Sequence, residues 1–325
     1  MREAKQPFRR YRALFLGATG PTPALVAHAW LAAGHEILEF WTVDASGPSD
    51  WRRDRHTGIC TPQWSVSAAI RRGRIAPHVL PAAADWQQAA ARAAALRPDL
   101  VLSVHFPRLL PRSFLDSLAM PVLNLHPALL PRFRGPYPLM AMLLDGTADR
   151  YGGVTLHAIT AGMDKGPIIA AVPVPLESGG EVRRWELSLA EAAAALVVQV
   201  VPRYLRGEIG AVPQDEAVAT LARPTTAAFR LTPAETADRV AWLCGTVGQL
   251  RQLVMRIAGR DYRIMDLVQR LGPTTGAPPR IGWRRIELDL ADARVRLRRR
   301  LPGDGKRRRI AQFYRRLTTR PLIAR

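Results

Sequence analysis

The chain has 325 residues, 48% of them hydrophobic, with 47 Lys and Arg against 27 Asp and Glu and a formal charge of +20. That length suits one large domain plus a small one, and the apolar share excludes a disordered or fibrous chain. No run of about 18 apolar residues occurs, so neither a membrane span nor a membrane partner is expected; the two cysteines, Cys60 and Cys244, form no CxxC pair, which disfavours a zinc or redox site and suits reduced thiols in a cytoplasmic protein.

The basic start, "MREAKQPFRRYR", leads into a segment of helical texture and is read as mature fold rather than a secretory signal. "RALFLG" (12–17) predicts a buried strand, and "TPALVAHAWLAAG" a helix stopping at Gly34. "HEILEFWTV" predicts a second strand, and "DASGPSDWRRDRHTG" a loop of turn formers. "DWQQAAARAAALR" predicts a helix capped by Asp85. "PDLVLSV" and "PVLNLH" follow as strands, and "RRWELSLAEAAAALVVQVVPRYLRG" as a long helix. Alternating strands and helices imply an α/β fold, Rossmann-like, with a mostly parallel sheet covered on both faces.

From Glu208 the texture changes. Residues 208–230 read as a linker and 231–325 as an accessory domain, leaving 1–207 as the catalytic domain. "TPAETADRVAWLCGTVGQLRQLVMRIAG" predicts helix. "DYRIMDLV", "RRIELDL" and "ARVRLRR" alternate with period two, as a small antiparallel unit would. The chain after Pro302 is expected to be partly disordered. The charge is concentrated late and is almost all arginine, the lysines being Lys5, Lys165 and Lys306. A basic final third fits a polyanionic partner such as tRNA, or a solvated surface with no specific partner.

"FLGATGPTP" stands where a dinucleotide loop would, but after Gly17 and Gly20 the third glycine position is filled by proline and threonine. The stronger pattern is "NLHPALLPRFRGPYP". Asn124 and His126 lie two apart on a predicted strand, so both point to one side. Pro127 keeps His126 extended, and Pro131, Gly135, Pro136 and Pro138 shape a stiff loop beyond it. Some thirty residues on, Asp164 sits between Gly162 and Gly166, where the backbone turns sharply. An amide, an imidazole and a carboxylate facing one another suit acyl transfer to an amine. Asn124 and His126 would stabilise an oxyanion, and Asp164 would support the imidazolium and help take a proton. No serine or cysteine stands as nucleophile, so direct transfer is preferred.

"NLHPALLPRFRG" followed by "GVTLHAITAGMDKGPII" resembles the folate-dependent formyltransferase family, which includes methionyl-tRNA, glycinamide ribonucleotide and sugar N-formyltransferases. The resemblance covers about the first 200 residues well. It implies Asn124, His126 and Asp164 as the catalytic trio, 10-formyltetrahydrofolate as donor, and no metal. It places the pterin near "LSVHFPRLLP" and the Asp164 loop, with Val104, His105, Phe106, Leu109, Leu129 and Gly162 as folate contacts. Arg132, Arg134, Gly135 and Tyr137 would meet the acceptor; Trp51 is weighed with them but fits packing better. The tRNA enzymes usually read "GSLLPRWRGAAPI" where this chain has "PALLPRFRGPYPL". Their lysine-rich loop and linker signature are absent, and "GVTLH" is closer to the sugar and nucleotide enzymes. The leading expectation is therefore transfer to an amine of a small metabolite, such as a nucleotide-linked amino sugar. The alternatives are a divergent methionyl-tRNA formyltransferase, a 10-formyltetrahydrofolate hydrolase, and a non-catalytic nucleic-acid-binding protein. The oligomeric state is left open.

Overall fold

The computed structural model describes residues 9–43, 47–81 and 83–300. The segment after Pro302 and the first eight residues lie outside that range. The chain divides into two compact units. The first comprises residues 1–139, 149–178 and 183–222; the second comprises 140–148, 179–182 and 223–325.

The first unit is built on β1 (Arg12–Gly17), β2 (Glu36–Val43), β3 (Ala76–Leu80), β4 (Leu100–Val104), β5 (Val122–His126), β6 (Gly153–Ala158) and β7 (Ile168–Pro173). They form one sheet in the order β3-β2-β1-β4-β5-β6-β7. The first five are mutually parallel; β6 pairs antiparallel with β5 and β7 antiparallel with β6, so β6 alone runs against the rest of this sheet. Burial on both faces explains the continuous apolar runs. Leu14 and Leu16 of β1 join Trp41, Val101, Phe114 and Val122 in one cluster, while Ala13 and Phe15, pointing the other way, are equally buried.

The helices up to residue 205 are α1 (Pro21–Ala32), α2 (Gly47–Cys60), α3 (Val66–Gly73), α4 (Trp86–Leu96), α5 (Arg112–Asp116), α6 (Pro138–Asp145), α7 (Ala148–Tyr151) and α8 (Val182–Leu205), of which α6 falls mostly in the second unit. Asp85 caps α4 by accepting from the Gln87 and Gln88 amides. α8 is long and apolar enough to cross a membrane by length and composition. One side of it is nevertheless buried, through Trp185, Leu189, Ala193, Val197 and Val201, as in the core helix of a folded domain.

α2 corrects the expected loop. Gly47-Pro48 opens a helix instead of a turn, since proline fits a first helical turn. The inward Asp54 then accepts from Ser65 Oγ (3.0 Å) and from the Val66 (3.0 Å) and Ser67 (2.7 Å) amides, closing the start of α3. Sequence reading made this stretch a loop of turn formers, yet its aspartate is a tertiary cap.

The second unit carries β8 (Arg230–Leu231), α9 (Ala237–Gly245), α10 (Val247–Leu250), β9 (Leu253–Ile257), β10 (Arg260–Gly272), β11 (Arg280–Ile281), β12 (Arg285–Asp289) and β13 (Arg294–Arg299). Its sheet runs β11-β12-β13-β10-β9-β8. The helix expected to reach Gly259 ends at Leu250. Leu253, Met255 and Ile257 are buried alternately in β9, so the period-two burial of a strand replaces helical spacing there.

Asp54→Ala should cost about 2–4 kcal/mol, because two buried amides and a hydroxyl lose their acceptor together. Urea unfolding followed by fluorescence would measure it; a loss under about 0.5 kcal/mol would mean that the cap is dispensable.

Candidate active site

Asn124 and His126 lie at the carboxyl end of β5, where parallel sheets bind ligands. The antiparallel neighbour places His157 directly opposite Asn124, and Thr155 opposite His126. Asn124, His126 and His157 therefore share one side of the sheet. Thr155 Oγ1 donates to Ala128 O (2.7 Å) and accepts from Leu130 N (3.1 Å), fixing the chain that leaves β5. That chain passes through a cis Leu130–Pro131 bond and turns at Phe133 (φ 57°) and Gly135 (φ 117°). A Cβ at Gly135 would lie 2.9 Å from Ala222 O, so only glycine fits there.

The carboxylate arrives from the β6–β7 loop. Asp164 itself is left-handed (φ 53°). At Gly166 a Cβ would stand 1.7 Å from Ala158 O, which requires glycine. The Asp164 side chain is largely buried and accepts from Gly135 N (2.8 Å) at Oδ2 and from Asn124 Nδ2 (3.4 Å) at Oδ1. His126 Nδ1 is 3.5 Å from Oδ2, and His157 Nε2 is 3.5 Å from Oδ1.

The tautomers follow from carbonyl chemistry. A carbonyl oxygen only accepts, so the 2.8 Å contact with Phe133 O puts a hydrogen on His126 Nε2. In the neutral ring Nδ1 then carries the lone pair, facing Asp164. The 2.8 Å contact with Ala158 O likewise protonates His157 Nδ1, leaving Nε2 to accept from Asn124 Nδ2 at 3.1 Å. That bond orients the Asn124 amide, its nitrogen toward the two catalytic-type side chains.

Burial lowers the His126 pKa, and the partly compensating Asp164 charge and Phe133 carbonyl do not restore it. Burial raises the Asp164 pKa, but the facing His157 and His126 rings and the Gly135 amide outweigh it and hold the carboxyl below its usual value. At neutral pH the site is thus an ionised carboxylate beside a neutral imidazole. This is an arrangement that can accept a proton on Nδ1 and pass it on.

The residues expected around this centre fall in different places. Val104 ends β4 beside Leu125 of β5, so the β4 exit adjoins the Asn124–His126 pair. His105 follows with φ 53°; Phe106 packs against the Leu14–Val101 cluster, and Leu109 is exposed. Leu129 lies under Gly153, where a Cβ would meet its side chain at 2.5 Å. Gly162 turns the loop before Asp164 (φ 110°). Tyr137 is exposed, Trp51 is half-buried on α2, and the Arg132 guanidinium lies over the Tyr151 ring (5.7 Å). Arg134 differs from expectation. It is 4% exposed, and its guanidinium donates to Gln214 and Glu216, an arrangement that leaves little of it for a substrate. His157 and Gln214 were missed. The "GVTLH" strand offered a signal for His157, because its alternation puts Thr155 and His157 on one side. Gln214 had none, standing inside what reads as a linker. Among the described residues no group of three or more His, Cys, Asp or Glu could hold a metal. A separate cleft of about 670 Å³, lined by Tyr11, Asp99, Met120 and Tyr204 among others, lies near the amino ends of β1, β4 and β5, away from this centre.

Comparison with known proteins matches residues 52–201 to the Formyl transferase family model. A methionyl-tRNA formyltransferase of Chloroflexus aggregans is 34% identical over 215 residues, which is 65% of this chain and 65% of that protein. The chain thus matches just under two thirds of that relative's length. One of Macrococcus caseolyticus is 30% identical over 231 residues, 68% of this chain and 72% of the relative. Among solved structures, an N-formyltransferase of Helicobacter canadensis in complex with folinic acid and dTDP-3-aminofucose superimposes with TM-score 0.58 at 13% identity, covering 90% of this chain and all of that one.

His126 should titrate below the usual imidazole value of 6.5 in ring-nitrogen NMR, and lower still in Asp164→Asn, because the carboxylate that favours the cation is gone. The sign carries to stability: a histidine harder to protonate when folded disfavours the native state as pH falls below 6.5. A titration midpoint above 7 in the unsubstituted protein would contradict the buried neutral ring.

Proposed function

This chain belongs to the formyl transferase family, and on that premise we propose that it moves a formyl group from 10-formyltetrahydrofolate to the amine of a small metabolite. The observation that carries the reading is the convergence of Asn124, His126 and Asp164 from β5 and the β6–β7 loop on one side of the sheet, with Gly135 N closing it. The flat face of a heteroaromatic pterin suits the β4 exit, where Phe106 and Leu109 offer apolar surface to stack against.

The donor supplies an activated formyl carbon; the protein supplies position and proton management. Asn124 Nδ2 trades its long, 3.4 Å contact with Asp164 for the formyl oxygen. The acceptor nitrogen bonds to the formyl carbon while the carbonyl pair moves to oxygen. His126 Nδ1 takes the proton that this nitrogen sheds, and Asp164 stabilises the resulting imidazolium. The bond to the folate nitrogen then breaks, and that nitrogen receives the proton. No side chain is acylated, and none in the site is built as a nucleophile.

A second reading, with methionyl-tRNA as acceptor, is favoured by the relatives, which carry that name. Salt separates the two. Phosphate contacts make tRNA binding fall steeply with ionic strength, whereas a small acceptor is little affected.

Purified protein with 10-formyltetrahydrofolate should release tetrahydrofolate when an amino-sugar nucleotide or a wider pool of amine metabolites is added. Release only with charged initiator tRNA would instead establish the second reading, and release with neither would indicate a hydrolase. Asp164→Asn should lower kcat by about a hundred- to ten-thousand-fold and leave folate binding, followed by calorimetry, nearly unchanged. Near-full turnover in that variant would refute the mechanism.

A further inference from the structure

The segment after α8 is not a plain tether. Val212 exchanges both backbone hydrogen bonds with Ile168 (2.8 Å each), extending the edge of the first sheet at the start of β7. The chain then returns to the loop beyond β5. Arg134 N donates to Thr220 O (2.9 Å), and Phe133 N to Thr220 Oγ1 (2.8 Å). Between these two anchors lies Gln214. Its Nε2 donates to Asp164 O and to Gly166 O, both at 2.7 Å. Its Oε1 accepts from Arg134 Nε (3.0 Å) and Nη2 (2.8 Å). The Gln214 amide therefore has both hydrogens and both lone pairs committed. Arg134, itself buried, is held on its other side by Glu216 at 2.8 and 2.9 Å.

We infer that Gln214, braced by Arg134 and Glu216, is a positioning residue that holds Asp164 against His126. Two facts point to this function in preference to generic packing. First, Asp164 adopts a left-handed backbone that a non-glycine residue rarely takes, and Gln214 binds the carbonyls on both sides of Lys165, fixing that conformation. Second, the same Arg134 whose side chain grips Gln214 precedes Gly135, whose amide binds the Asp164 carboxylate, and follows Phe133, whose carbonyl binds His126. One arginine thus joins the backbone that orients the imidazole and the backbone that orients the carboxylate. The polar groups facing His126 are Asp164, His157 and the Phe133 carbonyl, with the His105 ring near enough for mutual repulsion. Of these, the Gln214 brace directly touches the Asp164 loop and the segment carrying Phe133.

The inference rests on the formyl-transfer reading only for its kinetic consequence, so the test carries a readout independent of turnover. Gln214→Glu keeps size and strengthens the attraction to Arg134, but turns a double donor into an acceptor facing two carbonyls. Ring-nitrogen NMR should then show the His126 titration moved in the same direction as in Asp164→Asn, in protein that circular dichroism shows to be folded. If formyl transfer is measured, kcat should fall at least about tenfold with KM for the folate donor within about threefold. Glu216→Gln, at an exposed position, should give a smaller change of the same sign and serves if Gln214→Glu folds poorly. An unmoved His126 titration with kcat within twofold would overturn the inference, as would a fall in melting temperature with the titration unchanged. Absence of formyl transfer by the unsubstituted protein would sink the functional reading alone, because the NMR comparison still decides the brace.

Discussion

The site depends on keeping one carboxylate ionised while it is largely out of water. Removing a carboxylate from solvent costs several kcal/mol, and a hydrogen bond to a charged group returns only about 1.5–3 kcal/mol. One donor cannot hold Asp164 charged; several must converge. They are Gly135 N and Asn124 Nδ2, with two imidazole rings set beside the carboxylate, and they are borne by the loop after β5, by β5 itself and by β6. A chain solving this electrostatic problem must bring those segments within about 3.5 Å of one another, and a group poised between a carboxylate and a neutral imidazole is then at hand for proton transfer.

The sheet supplies that convergence through register. β5 is parallel to β4 but antiparallel to β6, so the exit of β5 meets the entry of β6. Direct pairing of Asn124 with His157 is what lets one imidazole orient the amide, and the pairing of His126 with Thr155 is what lets a hydroxyl tie down Ala128 and Leu130. A slip of one residue in this register would turn every one of these side chains to the other face. The two glycines act at a different level. Gly135 and Gly166 are places where backbone approaches backbone too closely for any Cβ, and both flank contacts to Asp164.

Much of this was legible in the sequence because it is local. Period two put Asn124 and His126 on one side, and glycines around Asp164 marked its turn. The alternating strands and helices gave the mostly parallel sheet, and the three late strands emerged as β10, β12 and β13. What was not legible depends on long-range pairing. The charged stretch around Asp54 looks like a loop of turn formers until its partners at Ser65, Val66 and Ser67 are known. "LVMRI" is apolar enough for helix or strand, and neighbours in the second sheet decided it. Arg134 has the appearance of an anion-binding side chain, but two partners about eighty residues away take up its guanidinium. The arginines of the second sheet make the same point. Arg294, Arg296 and Arg298 pair with Asp289, Glu287 and Asp266, so the run of arginines overstates the number of unpaired guanidinium groups that a polyanion would meet there.

The stretch expected as a linker, 208–230, bears on where the unit that carries the site ends. Its composition, with Pro213 and Pro224 and few large apolar groups, says only that it forms no long helix or long strand. A segment can lack regular structure and still be fixed if its backbone and side chains find partners elsewhere. Residues 212–222 do so with Ile168, Asp164, Gly166, Pro131, Phe133 and Arg134, and cluster with the first compact unit. Asn124, His126 and Asp164 all precede Gly207, so a boundary drawn from motifs alone would keep all three groups proposed to do the chemistry. It would strip away Gln214, Glu216 and Thr220, which hold two of those groups in register. The machinery therefore extends past its last motif, to the point where the Asp164 loop and the chain beyond β5 no longer need support.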